Sequence, residues 1–324
     1  MMVFLEIGVL IVSVVVLARS SGVVVESAVK LSKYFGISQL AIGFLLLAVS
    51  TSLPELSVSV VSSTGGEGAL AAGNVFGSNI ANILLILGIG AFLYGFKISA
   101  ANFKDIGLVL LLTTLISVYI IFNSSVQGNA LSFMEGILLL AGFAVYAWYS
   151  ITRKSIAENN NGQKVTKDEA LKAFLLFGAG VLVVIVSSGF VVESAVSLAR
   201  LMGIAESFIG ATIIAIGTSL PEMSVDIQAI RKRHYGLALG DAIGSNMANL
   251  TLVLGTAAVI NPIHVQIPVF IAALLFAVIA NTILLYVAGV NKKVGRLGGA
   301  LFLILYIIYI GVMFILQLRE WGAS

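Results

Sequence analysis

Ser50-Thr-Ser-Leu-Pro-Glu55 returns 167 residues later as Gly217-Thr-Ser-Leu-Pro-Glu222, and this repeated stretch decides the fold. Each copy lies inside a long apolar segment and places a glutamate directly after a proline. A proline has no N–H to donate and its ring crowds the preceding turn, so carbonyls just before it lose their helical partners. A charge inside a membrane helix costs about 3 kcal/mol on insertion scales, so each glutamate indicates a functional site.

Around each glutamate the sequence supplies only oxygen ligands. Hydroxyls three and four residues before the glutamate share its helical face. In the next helix, a serine and an asparagine spaced i,i+4 share one face with each other. Carboxylates, hydroxyls, amides and freed carbonyls suit hard cations such as Ca²⁺ or Na⁺. The candidates are Thr51, Ser52, Glu55, Ser78 and Asn82, with Thr218, Ser219, Glu222, Ser245 and Asn249.

The composition is that of an integral membrane protein in a lipid bilayer. Of 324 residues, 59% are hydrophobic and 10% are charged, against about 25% charged in a soluble domain. The chain has no cysteine and only two histidines, which excludes disulfides and thiolate or histidine metal sites. Its net charge of +3 is too small to indicate a nucleic-acid partner. No cofactor is expected, and a monomer is compatible with these features.

The hydropathy pattern predicts an all-α chain of ten transmembrane helices. Each expected span is long enough to cross roughly 30 Å of hydrocarbon. The spans are residues 3–32, 38–64, 69–95, 103–122, 131–151, 171–198, 205–230, 236–259, 265–289 and 298–318.

The two halves of the chain are an internal duplication. Residues 20–88 align without a gap onto 187–255, and 33 of the 69 positions are identical. Because each repeat has five helices, an odd number, the copies should cross the membrane in opposite directions, as in many secondary transporters. The expected division is repeat one at 1–151 with its motif at 43–88, a cytoplasmic linker at 152–170, and repeat two at 171–324 with its motif at 210–255.

The positive charges orient the chain in a cell membrane. With both termini outside, 15 lysines and arginines fall in cytoplasmic segments and only Arg200 and Arg319 outside, with Arg19 within helix 1. Cytoplasmic loops carry the excess of lysine and arginine in membrane proteins, which favours this orientation.

A pseudo-twofold axis would bring Glu55 opposite Glu222 near the middle of the membrane, flanked by Asn82 and Asn249. Two carboxylates would then neutralise one Ca²⁺. Asp226 and Asp241 break the repeat, where Ser59 and Asn74 stand in the first copy. We expect both aspartates at the cytoplasmic mouth near residues 231–234, in salt bridges there; the alternative is a vestibule that attracts cations.

The paired T-S-L-P-E stretches, with Gly77-Ser-Asn-Ile-Ala-Asn82 and its repeat, resemble the α-repeats of the Na⁺/Ca²⁺ exchanger family. The resemblance implies an exchanger whose helices 1 and 6 slide over a fixed core. It implies that Glu55 and Glu222 bind Ca²⁺ with the backbone of Thr51 and Thr218. It implies that Na⁺ additionally uses Ser78, Ser245, Asn82, Asn249 and the carbonyls of Ala48 and Ala215.

These features predict a Na⁺/Ca²⁺ antiporter, not an enzyme, that extrudes Ca²⁺ electrogenically by alternating access, with both ions as transported substrates. The alternative is a H⁺/Ca²⁺ exchanger in which Glu55 and Glu222 take up protons. A more remote alternative is a cation channel, although the repeats contain no selectivity-filter loop. No nucleophile–base set supports an intramembrane hydrolase.

Overall fold

The computed structural model describes residues 2–126, 130–152, 165–202, 215–264 and 267–321. This part of the chain is helical apart from short turns and four two-residue strands. Seven of its helices are long and apolar enough to cross a membrane, and one bent pair would add an eighth. The helices are α1 Met2–Phe35, α2 Gln39–Thr51, α3 Leu53–Thr64, α4 Gly68–Leu93, α5 Ala100–Val126, α6 Phe133–Thr152, α7 Lys167–Leu201, α8 Ala215–Gly217, α9 Leu220–Arg231, α10 Tyr235–Ile260, α11 Ile267–Asn291 and α12 Arg296–Trp321.

The chain is therefore an all-helical, multi-pass membrane protein, as its composition predicts. Each expected span overlaps a described helix or pair of helices, although α9 and α11 are not among those that are long and apolar enough to cross a membrane. Residues 203–214, in the expected span 205–230, lie outside the described residues, and so do residues 153–164 of the expected linker.

The helix break expected at the first proline is present. Helix α2 ends at Thr51 and α3 begins at Leu53, and the two axes differ by 44°. Pro54 occupies the first turn of α3, where a missing N–H removes no helical hydrogen bond. In the second copy α8 ends at Gly217, and α9 begins at Leu220 with Pro221 in its first turn. Each glutamate thus stands in the first turn of a helix, where the helix dipole favours negative charge.

Three π-helical segments widen the helices that surround these breaks. They run over Gly43–Leu47 in α2, Ala81–Ile86 in α4 and Asn249–Val253 in α10. A π-helical turn carries an extra residue and rotates the side chains that follow it, and such turns are frequent at functional sites. Asn82 and Asn249 lie within two of these segments.

Helices α4 and α10 form the centre of the bundle, and α1 and α7 lie at its edge. In the most apolar 18-residue window of each helix, 78% of residues are buried in α4 and in α10, but 17% in α1. The long helices α1 and α7 pack mainly against each other. Outside their mutual contact, much of the surface of α1 and α7 is exposed.

Helix α10 crosses α2 at a close approach that requires glycine on both helices. A Cβ atom on Gly43 would lie 2.8 Å from the Cα of Gly240, and one on Gly244 would lie 2.7 Å from the Cα of Phe44. Small residues let membrane helices approach in this way. Repeat-related Gly73 and Gly77 have no comparable contact with the described residues.

Two short strand pairs join the halves of the chain outside the helices. Strand β1, Phe96–Lys97, pairs with β4, Lys293–Val294. Strand β2, Ala130–Leu131, pairs with β3, Ile263–His264. Each pair contains one strand from the first half and one from the second.

Candidate cation-binding site

Glu55 lies fully buried between the two halves. Its Oε1 accepts hydrogen bonds from the hydroxyls of Ser78 at 3.3 Å and Ser219 at 3.4 Å. Its Oε2 is buried and has no hydrogen-bond partner among the described residues. Ser219 belongs to the second copy of the motif, so the structure brings the two copies together at this carboxylate.

Glu222 is the other glutamate of the repeat, and it is 1% exposed. Neither of its carboxylate oxygens has a hydrogen-bond partner among the described residues. It lies close enough to Glu55 and Asp241 for their charges to act on it. The hydroxyls of Ser52 and Thr218 are also buried without a partner among the described residues. Buried polar groups normally have partners because desolvation is costly, so these oxygens are free to bind a ligand.

Four asparagines form a hydrogen-bonded ring across the boundary between the repeats. Asn79 and Asn246 each donate to the other's backbone carbonyl, at 3.2 and 3.1 Å. Asn82 donates to Oδ1 of Asn246 at 3.0 Å, and Asn249 donates to Oδ1 of Asn79 at 3.2 Å. Because their amide nitrogens are used in this way, Asn82 and Asn249 keep a buried Oδ1 that accepts no hydrogen bond from the described residues. Both amides thus present an oxygen.

The backbone positions implied by the family resemblance are only partly described. The Ala48 carbonyl accepts a bond from the Ser245 hydroxyl at 3.5 Å and one from the Ser52 amide at 3.2 Å. Thr51 donates its hydroxyl within its own helix and also contacts Asp241. Ala215 begins α8, and its side chain lies outside the described residues.

The expectation for Asp226 and Asp241 was wrong. Both are fully buried, and among the described residues neither forms a salt bridge. Asp241 instead lies beside the site, where its Oδ1 accepts hydrogen bonds from Thr51 at 3.1 Å and Ser245 at 3.5 Å. Asp226 lies within hydrogen-bonding reach of Asp241. Asp226 lies four residues after Glu222, and Asp241 lies four residues before Ser245. This spacing gives the distance along a helix, but not the direction in which each carboxylate points.

The four buried acids do not converge on one point. In the described part of the chain, no three acidic or histidine side chains are grouped closely enough to hold one metal ion. Glu222 lies within electrostatic range of Glu55, and Asp226 contacts Asp241. Hydroxyl, amide and carbonyl oxygens must therefore complete the coordination of any ion bound there.

Sequence reasoning missed Asn79 and Asn246, although both belong to the repeated G-S-N-x-x-N stretch. An asparagine stands at the same position in both copies, and this repetition was the signal that could have identified them. Their role, which is to orient Asn82 and Asn249, depends on contacts between the two halves and on the π-helical turns.

The comparisons with known proteins agree with this geometry. The family described as sodium/calcium exchanger protein matches residues 5–152 and 172–315. The chain belongs to the sodium/calcium exchanger family. This is a family of transporters, and at the family level the activity is Na⁺/Ca²⁺ antiport.

Two relatives and one solved structure of this exchanger family member cover nearly all of it, and a third relative covers about two thirds. It is 31% identical over 309 residues to an uncharacterized membrane protein of Methanocaldococcus jannaschii, covering 95% of this chain and 98% of the relative. It is 27% identical to the sodium/calcium exchanger MaX1 of Methanosarcina acetivorans, covering 94% and 97%. A structure of the sodium-calcium exchanger NCX_Mj superposes with a TM-score of 0.81 at 28% identity, covering 95% of this chain and 99% of that one. A Ca²⁺/H⁺ antiporter of Bacillus subtilis, ChaA, is 25% identical over 64% of the chain and 63% of its own length.

Proposed function

We propose that this protein exchanges Na⁺ for Ca²⁺ by alternating access, and that the sodium gradient drives Ca²⁺ out of the cell. The observation that carries the proposal is the pairing of Glu55 and Glu222, one from each repeat, at two helix breaks. Three of their four carboxylate oxygens have no hydrogen-bond partner among the described residues. Two ionised carboxylates balance one Ca²⁺, whose six to eight oxygen ligands could be completed by the surrounding groups.

The proposed ligands divide by chemistry. Ca²⁺ is bound by Glu55 and Glu222 with the oxygens of Thr51 and Thr218. Na⁺ additionally uses hydroxyls, amide oxygens and carbonyls that carry no formal charge. The proposed set is Glu55, Glu222, Thr51, Thr218, Ser52, Ser219, Ser78, Ser245, Asn82, Asn249, Ala48 and Ala215.

Coupling follows from the overlap of these ligands. A site that shares its two carboxylates between Ca²⁺ and Na⁺ cannot hold both loads at once, so one ion must leave before the other binds. The loaded site then favours crossing between the outward-open and inward-open states. We assign the moving part to α1 and α7, which pack mainly on each other and have exposed outer faces.

The energy source is tested by ⁴⁵Ca²⁺ uptake into vesicles that contain the purified protein. We expect uptake when an outward Na⁺ gradient is imposed, and none with a K⁺ or H⁺ gradient alone, because neutral hydroxyl and amide oxygens surround the carboxylates. Uptake driven only by H⁺ would favour the H⁺/Ca²⁺ exchanger. Ca²⁺ entry without any opposing gradient would favour the channel. Either result would overturn Na⁺ coupling.

We further propose that the chain crosses the membrane ten times as two inverted five-helix repeats, with both termini outside and the 152–170 linker in the cytoplasm. Contacts between loops support this arrangement, because loops that touch must lie on the same face. Strands β1 and β4 both fall in segments assigned to the cytoplasm, and β2 and β3 both fall in segments assigned to the outside. Glu26 and Lys232, near the cytoplasmic ends of two helices, form a 2.8 Å salt bridge.

This topology predicts which engineered cysteines react with a membrane-impermeant thiol reagent. The chain has no cysteine, so each single substitution reports one position. Lys97→Cys should be labelled only from the cytoplasmic side, and Glu67→Cys only from outside; both residues are exposed. Labelling of the two positions from the same face would contradict the inverted arrangement.

A further inference from the structure

The two repeats differ in charge at two positions beside the cation site. In repeat one, Asn74 donates to the Ser59 hydroxyl and to the Glu55 carbonyl, both at 3.2 Å. These groups are neutral, and each Asn74 bond pairs a donor with an acceptor. In repeat two the matching positions hold Asp226 and Asp241. Two ionised carboxylates have no hydrogen to donate, so a hydrogen bond like that from Asn74 to Ser59 cannot form between them.

The aspartate pair has no described partner that would neutralise it. Both residues are fully buried, and neither forms a salt bridge within the described ranges. Both oxygens of Asp226, and Oδ2 of Asp241, are buried without a hydrogen-bond donor among the described residues. An uncompensated buried charge is strongly destabilising, so either a bound cation or a proton shared between the two carboxyl groups must compensate this pair.

Asp241 also has neighbouring hydroxyls from both repeats. In repeat one, Ser78 donates to Glu55. Its counterpart Ser245 donates instead to Asp241 and to the Ala48 carbonyl, and the Thr51 hydroxyl lies within reach of both Asp241 and Glu222. The result is a second group of oxygens that contains two carboxylates, a hydroxyl and a carbonyl. Such a group suits a hard cation.

We propose that Asp226 and Asp241, with the Ser245 hydroxyl and the Ala48 carbonyl, bind a hard cation, Na⁺ or Ca²⁺, in addition to the ion at the Glu55–Glu222 pair. The inference rests on the proposed function, since it adds a cation to the same transport site. The cation-binding core then contains four acidic residues rather than two. When it is fully occupied, it binds one more cation.

Equilibrium binding of ²²Na⁺ and ⁴⁵Ca²⁺ to the purified protein in detergent tests this site without relying on transport. The main variant is Asp226→Ser with Asp241→Asn, because repeat one already holds Ser59 and Asn74 at these positions and packs them. The isosteric pair Asp226→Asn with Asp241→Asn is a second form in case the first does not fold. Exposed Asp168→Asn is the control for loss of one acid.

We expect the main variant to lose about one bound cation per chain at saturation, and the ²²Na⁺ and ⁴⁵Ca²⁺ arms identify which ion is lost. The control should bind like the unmodified protein. Unchanged saturation for both ions in either double variant would overturn the second site.

The double variant Glu55→Gln with Glu222→Gln separates this inference from the proposed function. If it loses Ca²⁺ binding while the aspartate variants keep full saturation, the central site stands and the second site fails. If it binds both ions normally, the proposed function fails. If it retains about one cation that is lost when the aspartates are also replaced, the aspartate pair is a site of its own.

Discussion

Replacing either Glu55 or Glu222 with glutamine is expected to abolish sodium-driven Ca²⁺ uptake. Glutamine keeps the shape of the side chain but removes half of the charge that the glutamate pair offers a divalent ion. The loss is large because both residues are almost completely buried. A charge pair 4 Å apart is worth about 1 kcal/mol in water and about 4 kcal/mol at the effective dielectric near a protein surface. Vesicle uptake of ⁴⁵Ca²⁺ under an outward Na⁺ gradient measures the effect.

Glu67→Gln is the matched control, because Glu67 is exposed in the loop between α3 and α4 and is not one of the proposed ligands. It should transport normally. Each glutamine variant should still elute from a gel-filtration column as a single folded species, since removing a buried charge does not disturb packing. Near-normal exchange in a folded Glu55 or Glu222 variant would refute the site.

A single methyl group at Gly240 is expected to destabilise the whole bundle. The added Cβ of Gly240→Ala would overlap the Leu40 carbonyl oxygen and would lie 2.9 Å from the Cα of Gly43. These are backbone atoms, so no side chain can turn aside to make room. Overpacking a well-packed core typically costs about 1–3 kcal/mol, and we expect a value at the upper end or above because two helices must separate. The melting temperature in detergent should fall markedly.

Gly178→Ala is the control, and we expect it to raise the stability of the protein rather than lower it. Gly178 lies on the exposed face of α7, and a Cβ there meets no described atom within 4 Å. Alanine should stabilise the helix by about 0.5–1 kcal/mol, because glycine is entropically unfavourable inside a helix. If the two variants melt at the same temperature, the close crossing of α2 and α10 is not a determinant of stability.

The sequence predicted the features that depend on one helix at a time. The break before Pro54 follows from its missing N–H. Apolar length predicted where the described helices run. The number of spans and the orientation in the membrane remain predictions.

Contacts between helices could not be read from spacing alone. Asp226 was expected at a mouth because an offset of four residues gives a position along the axis, whereas its direction depends on how α9 and α10 pack. The π-helical turns of α4 and α10 have no marker in a 3.6-residue pattern, yet they include Asn82 and Asn249. The orientation of those two amides depends on Asn79 and Asn246 in the opposite repeat.

The exchange of Ser59 and Asn74 for Asp226 and Asp241 bears on which way the empty transporter faces. In the proposed inverted arrangement, two identical halves would make the outward-facing and inward-facing conformations equal in energy, since one is the other turned over. Only residues that differ between the halves can remove that degeneracy. A difference of 1.4 kcal/mol between the conformations is enough to populate one tenfold over the other. The buried aspartate pair, present in one half alone, is one such difference beside the proposed site, and we expect it to contribute to the resting direction.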